Sequence, residues 1–84
     1  MKFIELSGTT LFNLLKDDEM RPEDLRASGV EDRSVVRINQ QGDIELRCKD
    51  RWDVIGGLLG DFERRLKKAT GLDWAEEEGE ANYE

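Results

Sequence analysis

The amino-acid sequence predicts an α+β fold in which a small three-stranded antiparallel sheet packs on two short helices and one long C-terminal helix. Three observations carry this expectation. Residues 34–49 alternate apolar and polar side chains around a polar turn, as the two strands of a half-buried hairpin do. Residues 52–69 place apolar side chains at helical spacing. The chain has 84 residues, enough for one modest core.

Taken in order, Lys2 to Leu6 alternates, with Phe3 opposed to Ile4 and Leu6, and reads as a short strand broken at Ser7-Gly8. Ser7 or Thr9 can cap a helix carrying Leu11, Leu14 and Leu15 at i, i+3 and i+4, which ends in the charged run Lys16, Asp17, Asp18, Glu19. Pro22 suits a first helical position, and Glu23 and Asp24 complement the positive helix start. Gly29 suits the left-handed position past a helix end, so a second short helix is expected over 22–28. In the hairpin, Val36, Ile38, Ile44, Leu46 and Cys48 share the buried face, while Arg37, Asn39, Glu45 and Arg47 share the other. Gln40-Gln41-Gly42-Asp43 supplies the turn. A hairpin alone is marginal in water, so the first strand is expected to join it.

The long helix is capped by Asp50 in this reading, carries Trp52, Ile55, Leu58, Leu59, Phe62, Leu66 and Ala69 on one stripe, and stops at Gly71. Gly56, Gly57 and Gly60 fall inside it, each weakening a helix by up to about 1 kcal/mol relative to alanine. Stacked at i and i+4, Gly56 and Gly60 form a notch where another element of the chain, or a second helix, approaches closely. Together with Trp52 and Leu59 they are the candidate contact of a homodimer.

Thirteen basic and 20 acidic residues give a formal charge of −7. Residues 76–84 hold five glutamates and no lysine or arginine, so residues 1–75 carry 13 positive and 15 negative charges, a net of −2. The chain therefore divides into a single, nearly neutral domain over 1–75 and an acidic, disordered tail over 76–84. Within this tail and just before it, Tyr83 and Trp74 stand as aromatic anchors for a partner, although Trp74 can also pack back on the domain. Cys48 is the single cysteine, and Glu5 interrupts the apolar run that a signal peptide needs. Both point to a reducing, cytoplasmic setting.

Catalytic chemistry finds little to work with. The sequence has no histidine, Cys48 falls on the buried side of its strand, and adjacent carboxylates such as Asp17-Asp18 and Glu31-Asp32 sit on polar turns. No Cys/His cluster, calcium-loop spacing or phosphate-cradling glycine loop is visible, so no metal or other cofactor is expected. The basic run Arg64, Arg65, Lys67, Lys68 is interleaved with Asp61 and Glu63 at i, i+4 and reads as a salt-bridged solvent face.

The stretch Leu25-Arg-Ala-Ser-Gly-Val-Glu-Asp-Arg-Ser-Val-Val-Arg-Ile38 resembles a helix-turn-helix, with Gly29 as the turn glycine and Val35 and Ile38 at apolar positions of the second helix. It departs from that pattern at Leu25, where a small residue is needed, and at Asp24, where an apolar one is. The element order is also similar to part of a winged helix, with Gln40 to Asp43 at the wing tip, and to the antitoxins of the Phd/YefM type. These resemblances imply a DNA-binding regulator, for which Arg21, Arg26, Arg33 and Arg37 are the candidate contacts in this sequence. The leading expectation is a noncatalytic protein-interaction or regulatory module that forms a homodimer. A DNA-binding regulator and an acidic DNA mimic are the alternatives.

Overall fold

The computed structural model describes residues 1–15 and 20–76. The charged run 16–19 and residues 77–84, with Tyr83 and most of the acidic tail, lie outside the described residues.

The first half follows the sequence closely. Strand β1 (Lys2–Ser7) runs into helix α1 (Gly8–Leu14), whose start is held by Ser7: its hydroxyl oxygen accepts the Thr10 amide at 3.2 Å. Helix α2 (Pro22–Ala27) opens on Pro22 and gives way to Gly29 at φ 104°. Strands β2 (Val35–Asn39) and β3 (Asp43–Cys48) pair antiparallel, with Val36 opposite Leu46 and Ile38 opposite Ile44. β1 pairs on the far side of β2, with Ile4 opposite Ile38. The segment that resembles a second recognition helix is thus strand. Buried Asn39 holds the hairpin turn, its Oδ1 accepting the amides of Gln41 (2.9 Å) and Asp43 (3.0 Å).

The second half corrects the sequence reading. The long helix does not form. After the two-residue turn Lys49-Asp50, residues expected to open it make strand β4 (Arg51–Gly57) against β3, and only helix α3 (Phe62–Thr70) is helical. Trp52 and Val54 alternate with Asp53 and Ile55, and two of these four side chains are β-branched, which suits a pleated strand. The glycine penalty inside the supposed helix was real: Gly56 lies in β4, and Gly60 adopts φ 68°, outside helical geometry. The apolar spacing that imitated a helix is split between a strand, a loop and α3.

A further short strand, β5 (Ala75–Glu76), pairs with β1, so Glu76 belongs to the fold rather than to the tail. Among the described residues the sheet therefore has five strands, not three, in the order β4-β3-β2-β1-β5 with every pair antiparallel. The element order becomes strand, helix, helix, three strands, helix, strand.

The core lies on one face. Ile4, Leu6, Val36, Ile38, Ile44 and Leu46 of the sheet join Leu11, Leu14, Leu25 and Leu66 of the three helices in one buried cluster. Arg65 ties this layer together: its guanidinium donates to the Leu14 carbonyl at 2.7 Å and the Leu59 carbonyl at 3.2 Å. Among the described residues no helix is long and apolar enough to cross a membrane.

Candidate interaction surface

Because strand side chains alternate, the residues between the core positions point to the opposite side of the sheet: Phe3 on β1, Arg37 on β2, Glu45 and Arg47 on β3, Trp52 and Val54 on β4. The helices pack on the other side. Even so, Arg37 is only 5% exposed. Its guanidinium carbon lies 3.9 Å from the centre of the Phe3 ring and 4.3 Å from that of Trp52, and its Nε donates to Glu45 Oε1 at 2.8 Å. Arg47 continues the series, 5.5 Å from the Trp52 ring. Two aromatic faces and one carboxylate thus enclose a charge that water would otherwise solvate. Trp52 Nε1 is itself buried, with no hydrogen-bond acceptor among the described residues.

Beside this sandwich lies a hollow of about 360 Å³, lined by Arg37, Glu45 and Trp52 together with Arg47, Asp50, Arg51 and Val54. Val54, 65% exposed, stands at its outer margin on the edge strand of the sheet. On the core side of the same strand, Arg51 bonds Asp53 at 2.8 Å, and the Cys48 thiol donates to the other Asp53 oxygen at 3.1 Å. These contacts hold the Asp53 carboxyl below the usual carboxylate range, Arg51 first and Cys48 second. The hydrogen bond to Asp53 raises the Cys48 thiol above its ordinary value, which keeps it protonated and poorly nucleophilic. Among the described residues no three carboxylate or thiol groups gather as a metal site.

The residues singled out from sequence are scattered. Trp52 belongs to the surface just described, as a strand residue rather than part of a helical stripe. Gly56 lies against Met20, where a side chain would strike the methionine sulfur, and Leu59 and Gly60 lie in the loop before α3, so the glycine notch on a helix does not exist. Trp74 is half-buried against the core, and its indole N–H donates to Glu63 at 2.9 Å. Of the four arginines assigned to DNA, Arg21 pairs with Glu23 and Asp24, Arg26 pairs with Asp32, Arg33 is in the loop before β2, and Arg37 is buried on the other side of the sheet. Arg37 thus stands apart from the other three. Carboxylates are likewise neutralised one by one, Asp61 by Arg65 and Glu63 and Asp73 by Lys67, which leaves no uniform acidic face along these elements.

Sequence reading missed Phe3, Glu45, Arg47 and Val54 as site residues. A signal was present: Arg51 to Val54 alternates with period two directly after a two-residue polar turn. Comparison with protein-family models, with curated proteins and with solved structures finds no match.

Proposed function

We propose that this chain is a noncatalytic protein-interaction module that binds through the helix-free side of its sheet at the β4 margin. The observation that supports this most is the placement of an exposed apolar residue, Val54, on the edge strand that also carries Trp52, the outermost member of the arginine-aromatic sandwich. Binding to such a surface needs no rearrangement, because Arg37 and Trp52 are already held in place by packing and by Glu45. Aromatic and arginine side chains together are the residue types that contribute most to protein contacts. The absence of histidine and the protonated, carboxylate-bound thiol of Cys48 fit a binding role better than a catalytic one.

A photo-crosslinking amino acid placed at Val54, and at Ala27 on the helix side as a control, tests this in the producing cell. Adducts with a protein are expected from position 54 and not from position 27. Adducts from position 27 alone, or from neither, would overturn the reading.

A further inference from the structure

The β4 margin has a specific geometry. Cys48 and Arg51 close the two-residue turn as a directly bonded pair, so along the ladder Leu46 and Asp53 also exchange hydrogen bonds, while Arg47–Trp52 and Glu45–Val54 do not. Trp52 and Val54 therefore turn their N–H and C=O groups outward, away from β3. At the opposite side of the sheet β5 pairs with Lys2 and Phe3 of β1, and the chain's amino terminus is salt-bridged to Glu76 at 2.6 Å. Arg51 to Gly57 contains neither proline nor lysine, the residues that most often keep an edge strand from pairing. A register irregularity occurs opposite Ile44/Glu45, beyond Val54, and leaves Arg51 to Val54 in regular strand.

Resting on the reading of this margin as the binding surface, we infer that its partner is a second copy of the chain, paired antiparallel through β4 with Trp52 on the two-fold axis. Charge selects that register from the three centred on residues 52, 53 and 54. Centring on Asp53 sets two carboxylates opposite each other. Centring on Val54 sets Arg51 opposite Gly57 and Asp53 opposite Ile55, so neither charge is answered. Centring on Trp52 sets Arg51 opposite Asp53 of the second copy, twice by symmetry, with the two Trp52 residues side by side and bonded through their outward backbone groups. The short sequence Arg51-Trp52-Asp53 is thus its own complement when read antiparallel. The pairing joins the two sheets edge to edge and extends the aromatic-arginine series from one copy into the next.

The test is a charge swap followed by sedimentation across a concentration series, with circular dichroism as a check of folding. The unaltered chain is expected to show a concentration-dependent dimer. R51D and D53R each set like charges opposite one another at two places, and each is expected to weaken the dimer about tenfold or more. Mixed in equal amounts, the two variants regain opposite charges at both places and form a heterodimer with affinity near that of the unaltered chain. A monomeric unaltered chain at high concentration, variants that dimerise undiminished, or a mixture that fails to associate would each overturn this inference. Crosslinks from Val54 to a different protein, with the chain itself monomeric, would overturn only the second copy and leave the proposed binding surface standing.

Discussion

On the covered side of the sheet, Ile4, Leu6, Val36, Ile38, Ile44 and Leu46 meet three helices and are buried in one apolar cluster. On the open side, Arg37 reaches comparable burial by lying between Phe3 and Trp52 and against Glu45. The difference is one of tolerance. An apolar core loses stability in proportion to the volume removed, because its members act through contact. A buried charge depends on its partner, so the open side fails or survives as a set.

Equilibrium denaturation separates these two behaviours. Glu45→Ala removes the carboxylate that Arg37 Nε bonds and is expected to destabilise by about 3–5 kcal/mol, whereas the double change Arg37→Met with Glu45→Leu keeps the shape without charge and should fall within about 1 kcal/mol of the unaltered chain. A double variant as unstable as Glu45→Ala would break the comparison. On the covered side, Ile38→Ala should lose about 2–5 kcal/mol, and no second substitution at Ile44 or Val36 should recover that loss in the way the paired change recovers the open side.

A smaller effect probes α3. Lys67 foremost, with the Trp74 indole, holds the Glu63 carboxyl below the ordinary glutamate range. A carboxyl whose value is lowered by folding contributes stability above that range and loses it as pH falls through the folded value. In a W52F background, Trp74 fluorescence is therefore expected to hold steady through the ordinary carboxylate range and to change only below it. Glu63→Gln should abolish that transition. A change centred in the ordinary range would show that the Trp74–Glu63 contact is not formed in solution.

What the sequence disclosed follows from which signals are local. Ser7, Pro22 and Gly29 act within a turn of their own helices, and the alternation of Val36, Ile38, Ile44 and Leu46 repeats often enough to name both strands and their buried side. Residues 52–66 carry two patterns at once. Trp52, Ile55, Leu58, Leu59, Phe62 and Leu66 fit a helix of period 3.6, while Arg51 to Val54 fits a strand of period two. Pairing with β3, a tertiary term, decides between them. Gly56, Gly57 and Gly60 were the local warning, since about 3 kcal/mol of accumulated helix penalty had no visible compensation. The candidate surface was hidden for the same reason. Phe3, Arg37 and Trp52 come from three strands, and only the register brings their rings and guanidinium together.

Residue-resolved hydrogen exchange on β4 tests the central claim most directly, because neighbouring amides of one strand serve as each other's control. In dilute protein the outward amides of Trp52 and Val54 should exchange fast while those of Arg51 and Asp53, bonded to β3, are protected; in concentrated protein Trp52, at the centre of the paired strands, should become protected as well. Fast exchange at Trp52 and Val54 at every concentration, with or without a bound partner, would contradict the assignment of β4 as the binding margin.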